Sequence, residues 1–291
     1  MSDLALILVL LSALAHATWN LLAKRAINQE VFLWCVLVSS SILMLPLFIF
    51  LIWKYQILYP GWWFIFGTVV LHALYFTFLG RSYARTDLSL AYPIARGMGP
   101  ALVPIIGALL LKEVVTPPAV IGILSVVAGI FTVYWWGNFM EVLHNPLRII
   151  KEPGARFALL TGLVIAAYSV WDKVGVRYVN PFMYLYFLNL GSALFLTPHI
   201  WRSHGIRTVR IEIRKKIGSI ILSGLLMFLA YGLILFTLTF SRVSYIAPAR
   251  EVGIVVAVAF GTLLLREPFG KGRIIGSGLI IAGLVLISLA P

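Results

Sequence analysis

The chain has 291 residues, of which 61% are hydrophobic and 11% are charged, and its mean hydropathy is +1.00. A soluble globular chain is about 45–50% apolar and about 25% charged, so this composition excludes a soluble protein and predicts one that crosses the membrane many times. The formal net charge is +13. The basic residues that cause it lie mainly between apolar runs, where cations bind lipid headgroups and determine which loops face the cytoplasm. We therefore expect the lipid bilayer as a partner and no nucleic acid.

Ten apolar runs are each long enough to cross about 30 Å of hydrocarbon as a helix. They are residues 4–22, 31–53, 62–81, 88–111, 118–136, 157–175, 181–201, 217–240, 244–265 and 273–290. These runs predict an all-α integral membrane fold with ten transmembrane helices. The single cysteine, Cys35, lies in the second run, which excludes disulfides and thiolate metal sites.

The charged residues concentrate in the connections. Residues 202–216 hold six Lys and Arg against the single acid Glu212. We expect a solvated loop there, with a short amphipathic element on the membrane surface as the alternative. Connections after the odd-numbered runs hold 16 Lys and Arg, whereas the other side, to which Lys173 is assigned, holds 5. By the positive-inside rule this count places both termini outside the cytoplasm.

The chain also repeats itself. An offset of 154 residues aligns 107–113 with 261–267, and an offset of 152 residues aligns a shorter pair near the start of each half. The superposed pairs include Arg96 with Arg250, Trp19 with Trp171, Asn20 with Asp172, and Arg25 with Arg177. We therefore expect a first repeat at 1–137, a linker at 138–153 and a second repeat at 154–291. Because each repeat has five runs, an odd number, the two repeats should be inverted in the membrane.

With Leu-Leu-Leu-Lys-Glu113 and Leu-Leu-Leu-Arg-Glu267 at the ends of the fourth and ninth runs, the chain resembles the drug/metabolite transporter superfamily, specifically its ten-helix EamA-type carriers. The resemblance covers essentially the whole chain. It implies a permease of the cytoplasmic or inner membrane, with no enzyme activity and no cofactor. It also implies cytoplasmic termini, against the charge count. Glu113 and Glu267 follow a cation at a helix end, and we interpret them as family markers.

Ionisable groups at membrane depth cost about 3 kcal/mol or more each, so they are candidates for function. Arg96 in the fourth run and Arg250 in the ninth are expected to converge on a central cavity, where guanidinium groups bind carboxylate or phosphonate oxygens in pairs. The alternatives are internal pairing, of Arg250 with Glu251 or of Arg96 with Asp172, and snorkelling toward an interface. Neighbours on a helix point about 100° apart, so Arg250 and Glu251 are not expected to pair directly.

Further polar and aromatic residues lie inside the spans: His16 and Asn20 share a face of the first run, and Tyr168 and Asp172 share a face of the sixth. The predicted substrate-binding set is completed by His16, Trp19, Asn20, Tyr92, Tyr168, Trp171 and Asp172. For the two tryptophans an interfacial belt is an equal alternative. The candidates for proton coupling are Glu251, His16 and His72, because histidine titrates near neutrality and a carboxylate in a dry site can carry a proton.

Glycines mark one helix pair. Gly122 and Gly129 in the fifth run, and Gly276 and Gly283 in the tenth, recur every seven residues. This spacing places a flat stripe on one helix face. We expect close packing there, with a homodimer contact as the alternative.

The function predicted from these features is secondary transport of a small polar metabolite, anionic or zwitterionic, such as an amino acid or organic acid, by alternating access. No Walker-type phosphate loop is present, so ATP is not expected to drive it. The alternatives are a drug or cation exporter of the same fold, a channel and an intramembrane enzyme. No His, Cys, Asp or Glu cluster has metal-ligand spacing, so no metal is expected.

Overall fold

The computed structural model describes residues 1–83, 85–86, 88–136, 152–265 and 270–290. These residues form α-helices and connections. The helices are α1 (Asp3–Lys24), α2 (Gln29–Lys54), α3 (Gly61–Tyr83), α4 (Leu88–Leu111), α5 (Pro117–Trp135), α6 (Pro153–Gly175), α7 (Pro181–Phe240), α8 (Val243–Ala249), α9 (Val252–Leu265) and α10 (Lys271–Leu289). Most of the predicted linker 138–153, and the Arg266-Glu267 pair, lie outside the described residues.

Nine helical segments in the described part of the chain are long and apolar enough to cross a membrane. One of them, α7, has 60 residues and would extend about 90 Å as a straight helix, far beyond the hydrocarbon thickness. Its backbone leaves the helical region at Gly205 (φ 69°, ψ 164°) and at Lys216 (φ −127°, ψ 15°). The stretches 181–204 and 217–240 are each long enough for one crossing. The prediction of an all-α integral membrane fold is confirmed, and separating these two stretches brings the count to the ten predicted spans.

The chain forms two compact units, and each takes residues from both predicted repeats. Unit 1 comprises Met1–Leu10, Leu74–Val170 and Ser241–Pro291. Unit 2 comprises Leu11–Ala73 and Trp171–Phe240.

In unit 2, the basic segment between the two crossing stretches of α7 is helical, so the prediction of a solvated loop at 202–216 was wrong. Gly205 supplies the positive φ that the sharp turn into this segment needs. The side chain of Glu212 is 1% exposed and accepts hydrogen bonds from the backbone N–H groups of Ile27 (3.2 Å) and Asn28 (2.9 Å). The one acid of the segment therefore anchors it to the turn between α1 and α2.

Unit 2 is also held together by contacts between α2 and α7. Trp34 Nε1 donates to the carbonyl of Ala193 (3.2 Å) and to Thr197 Oγ1 (3.0 Å). Deeper in the same pair of helices, Asn189 Nδ2 donates to Ser40 Oγ at 3.1 Å, and both side chains are buried. These bonds satisfy polar groups that would otherwise be unpaired in a dry interior.

In unit 1, α5 and α10 pack through the glycines that the sequence singled out. A Cβ on Gly129 would lie 2.7 Å from the carbonyl oxygen of Gly276, and one on Gly283 would lie 2.5 Å from that of Gly122. Real Cβ atoms essentially never come so close, so the two backbones meet where any side chain would separate them. The predicted close packing of these helices is confirmed.

This packing predicts a sharp difference between two glycines of α10. A Cβ on Gly276 would lie 2.6 Å from Val133 Cγ2 and 2.7 Å from the Gly129 carbonyl, whereas a Cβ on Gly278 has nothing within 4 Å. We expect Gly276→Ala to lower the melting temperature of the purified protein by about 3 °C or more. The matched control Gly278→Ala should leave it unchanged or raise it slightly, because alanine favours the helix. Equal melting temperatures for the two variants would contradict this account.

The predicted inversion of the repeats can be tested with the superposed pair Arg25 and Arg177, both of which are exposed. In a Cys35→Ala background, which removes the single cysteine, we expect Arg25→Cys and Arg177→Cys to react with a membrane-impermeant maleimide from opposite sides of the membrane. As controls, Ile27→Cys should label from the side of residue 25, and Tyr178→Cys from the side of residue 177. Labelling of residues 25 and 177 from one side would show parallel repeats.

Candidate functional site

The site in unit 1 is built on a break between α8 and α9. The helix α8 ends at Ala249, and α9 begins at Val252. The N–H of Glu251 bonds to the carbonyl of Pro248 (3.1 Å), and the N–H of Ile254 bonds to that of Glu251 (2.9 Å), both three residues back. Such bonds tighten the backbone relative to an α-helix. The sequence predicted one span at 244–265, and in the structure the helix breaks within it, with a turn at residues 250 and 251.

Glu113 fixes the position of α8. Its carboxylate oxygens accept from the backbone N–H of Val243 (3.0 Å), the N–H of Ser244 (2.9 Å) and Ser244 Oγ (2.6 Å). A Cβ on Gly107 would overlap Ser244 Oγ, so glycine permits this approach of α4. The sequence interpretation of Glu113 as a family marker missed this role: it satisfies the first N–H groups of the short helix that leads into Arg250.

Arg96, Arg250 and Glu251 form the charge cluster of the site. Arg96 Nε lies 3.5 Å from Glu251 Oε2, and Arg250 Nε lies 3.5 Å from Glu251 Oε1. The side chain of Glu251 is 1% exposed, against 17% for Arg96 and 14% for Arg250. The expectation that Arg250 and Glu251 would not pair was wrong, because it assumed regular helix geometry where the backbone turns. The cluster brings the two predicted arginines to one carboxylate.

The charges of this cluster do not balance, and its polar atoms are not all hydrogen-bonded. Within the part of the chain that the structure describes, two guanidinium groups contact one carboxylate, which gives these three side chains a net charge of about +1. Among the described residues, neither Arg96 Nε nor Glu251 Oε2 has a hydrogen-bond partner, although both atoms are buried. A buried polar atom left without a partner costs about 1–3 kcal/mol. The arrangement can therefore accept further polar atoms, and its net charge favours an anion.

Tyrosine rings surround the cluster. Arg250 Nη2 donates to the hydroxyl of Tyr168 (3.2 Å), and its Cζ lies 6.0 Å from the centre of that ring. Arg96 Cζ lies 5.9 Å from the ring centre of Tyr92. Two further rings contact these tyrosines, Tyr75 against Tyr168 at 6.0 Å and Tyr134 against Tyr92 at 5.0 Å. Guanidinium groups are stabilised over aromatic faces, so the rings help to hold the two arginines in place.

The sequence predicted Tyr92 and Tyr168 as site residues and missed Tyr134. Tyr134 stands beside Trp135 and Trp136 at the end of α5, a pattern typical of an interfacial aromatic belt. Nothing in that local pattern separates a ring that faces the cluster from one that faces lipid.

Unit 2 holds a second polar site at Asp172. Its side chain is fully buried and accepts hydrogen bonds from the hydroxyls of Tyr184 (2.7 Å) and Tyr231 (2.5 Å). The neighbouring Trp171 donates from Nε1 to the carbonyl of Phe64 at 2.9 Å. The sequence named Asp172 and Trp171 but neither tyrosine, because both tyrosines lie in another helix, α7, 12 and 59 residues further along the chain.

Lys173 corrects the count of loop cations. The sequence assigned it to a connection, but its side chain is only 7% exposed, and Nζ donates to the carbonyl of Leu238 at 2.6 Å. That carbonyl belongs to the last turn of α7, where helix carbonyls lack partners of their own. Lys173 therefore caps the C-terminal end of α7 and is removed from the count of loop cations used for the positive-inside rule.

The remaining predicted residues of unit 2 lie on α1 and α3. Asn20 Nδ2 donates to the backbone carbonyl of His16 (2.7 Å), and the rings of His16 and Trp19 meet edge to face at 5.1 Å. The Nε1 of Trp19 is buried without a hydrogen-bond partner in the described part of the protein. His72 is buried, and its Nδ1 lies 2.9 Å from the carbonyl of Thr68. Of these side chains, Trp19 is the one with a buried donor that lacks a partner among the described residues.

Comparisons with known proteins agree with a transporter fold. Residues 3–135 and 152–289 each match the model of the EamA-like transporter family. A stretch of 68 residues is 41% identical to the multidrug resistance protein EbrB of Bacillus subtilis (strain 168), covering 23% of this chain and 58% of that protein's length. A crystal structure of another protein covers 99% of this chain and 98% of its own, with a TM-score of 0.71 and 15% identity. That structural likeness concerns the fold alone.

Proposed function

The chain belongs to the EamA-like transporter family, and on that premise we propose that it is a secondary transporter that carries a small anionic or zwitterionic metabolite by alternating access. The substrate class includes amino acids and organic acids. The observation that supports this proposal is the convergence of Arg96 and Arg250 on the single buried carboxylate of Glu251.

The charge of the cluster supports an anionic substrate. Holding a guanidinium away from water is costly, and Glu251 offsets only one of the two. A carboxylate or phosphonate oxygen can bind to guanidinium N–H groups in the paired geometry that these groups favour. The faces of Tyr92 and Tyr168, already within 6.0 Å of the guanidinium carbons, also suit an ammonium group, which extends the class to zwitterions.

A second candidate function is export of a cationic drug. It is favoured by the partial match to a protein named for multidrug resistance and by the fully buried carboxylate of Asp172 in unit 2. Against it, the hydroxyls of Tyr184 and Tyr231 already occupy both oxygens of that carboxylate.

A screen of ligands separates these two functions. A ligand that binds the folded state raises its melting temperature by mass action. The purified protein would be heated with amino acids, organic acids, phosphonates and sugar phosphates, and with tetraphenylphosphonium as a lipophilic cation. Stabilisation by anionic or zwitterionic compounds supports the proposal, whereas stabilisation by tetraphenylphosphonium alone supports drug export. Counterflow with the best ligand in proteoliposomes then distinguishes a carrier from a channel.

We predict that Arg96→Ala and Arg250→Ala abolish transport of that ligand and weaken its binding by about tenfold or more, since each removes a charge-assisted bond. Lysine at either position should restore little of the transport or binding, because an ammonium group cannot form the two parallel hydrogen bonds of a guanidinium group. Arg202→Ala, at an exposed position, is the matched control and should behave as wild type. Binding is measured by thermal shift and transport in proteoliposomes. A variant that fails to fold would assign its arginine a structural role, and normal transport by both would place the site elsewhere.

Proton coupling belongs to the proposal, with Glu251, His16 and His72 as candidates. If Glu251 carries the proton, Glu251→Gln should retain exchange of labelled ligand and lose accumulation driven by a proton gradient. His16→Gln and His72→Gln should retain both activities. Uptake into proteoliposomes with and without a pH gradient measures the difference. Loss of accumulation in either histidine variant, with normal accumulation in Glu251→Gln, would transfer the coupling role to that histidine.

A further inference from the structure

Glu251 occupies the place on the two arginines that the proposed substrate needs. Its two oxygens lie 3.5 Å from Arg96 Nε and from Arg250 Nε, one oxygen to each. A substrate carboxylate that bonds to Nε of both guanidinium groups takes over these positions and displaces Glu251. In the structure, the carboxylate of Glu251 therefore acts as the counter-ion of the two arginines.

The contacts of Glu251 with Arg96 and Arg250 are weak enough for a ligand to replace them. Within the described residues, Glu251 Oε2 and Arg96 Nε are buried and lack hydrogen bonds, and 3.5 Å is longer than the 2.7–3.2 Å of a good N–H···O bond. The side chain of Glu251 is 99% buried. An oxyanion that binds Arg96 and Arg250 at normal hydrogen-bond distance would form the bonds that Glu251 does not form with them.

When a ligand displaces Glu251 from the two arginines, the carboxylate loses its charged partners. The groups that face the cluster are Arg96 and Tyr92 from α4 and Arg250 from the turn before α9. The other facing groups are Tyr75 from α3, Tyr134 from α5 and Tyr168 from α6. Once the substrate holds both guanidinium groups, the remaining groups around the cluster are, among the described residues, these tyrosines. A buried carboxylate without a charge partner takes up a proton rather than remain ionised.

We propose, resting on the function proposed above, that Glu251 is an internal counter-ion which a monoanionic substrate group displaces from Arg96 and Arg250, and that each displacement loads one proton onto Glu251. The proton comes from water on the side where the substrate enters. One O–H bond breaks in a hydronium ion and one forms on Glu251. When Glu251 returns to the arginines, it gives this proton to water on the side where the substrate leaves.

Charge conservation favours a monoanion over a dianion. With Glu251 between the two guanidinium groups, the cluster carries a net charge of +1. With a monoanion bound and Glu251 protonated, the net charge is again +1, so the electrostatic cost of holding the cluster at membrane depth is unchanged. A dianion would change that charge to zero, and an amino-acid zwitterion would change it to +2. The substrate class that keeps the charge constant is therefore an organic acid with one carboxylate and no ammonium group, carried with one proton.

The test measures anion binding against pH in the purified full chain, with methanesulfonate and acetate as probes, because both remain monoanions from pH 6 to pH 8 as an approximate range. Calorimetric titration is done at constant ionic strength, with sodium chloride replacing the probe in the control. For wild type, uptake of one proton per anion makes the Kd rise about tenfold per pH unit. For Glu251→Gln, we expect a lower Kd that does not change with pH. Glu30→Gln removes an exposed carboxylate and should keep the wild-type slope.

Each other outcome overturns a defined part of the proposal. A wild-type Kd that is constant with pH, or an equal slope in Glu251→Gln, rejects the inference while the anion carrier stands. Binding of tetraphenylphosphonium but of neither probe rejects the proposed function as well. If Glu251→Gln does not fold, Glu251→Asp serves instead: its shorter carboxylate reaches the arginines less well, so anions should bind more tightly with the slope retained. Weaker binding in that variant rejects the inference.

Discussion

The contact of Glu251 with Arg96 and Arg250 is the interaction on which the rest of unit 1 depends. Two guanidinium groups in apolar surroundings are tolerable only if something nearby offsets their charge, and the carboxylate between them does so in part. The helix break at residues 250 and 251 is what allows it, since a regular helix would direct these neighbours to different sides. The backbone conformation at residues 250 and 251 therefore determines whether the carboxylate of Glu251 can contact both guanidinium groups.

The position of this helix break also depends on Glu113, which follows the end of α4. Glu113 binds the first N–H groups of α8, and α8 is only seven residues long, so the capped end and the break are joined by two helical turns. Pro248 lies in the last turn of α8 and brings no N–H to it. A motif that the sequence presents as a simple marker therefore fixes the register of the residues that carry the charge.

Much of the architecture could be predicted from the sequence, because the hydrophobic runs and the glycine spacing reflect simple physical requirements. Arg96 and Arg250 were also identifiable, since charge inside an apolar run is rare. The pairing of Arg250 with Glu251 was only an alternative, and that of Arg96 with Glu251 was not predicted, because both depend on a helix break. Tyr184 and Tyr231, which bind Asp172, are ordinary tyrosines in apolar runs. For 202–216 the sequence favoured a loop over an amphipathic element, because its many charges are typical of a loop.

The meeting of α5 and α10 has a consequence for the conformational entropy lost on folding. Its closest approaches join backbone atoms of Gly122 and Gly129 to those of Gly283 and Gly276. Glycine has no rotamers to lose, so bringing these surfaces together freezes no side-chain torsions. The side-chain part of the entropic penalty at an ordinary leucine-rich contact is therefore absent at these four positions. What remains there is the cost of fixing the glycine backbone, which is larger than for any other residue, so this seam exchanges a side-chain entropy cost for a backbone one.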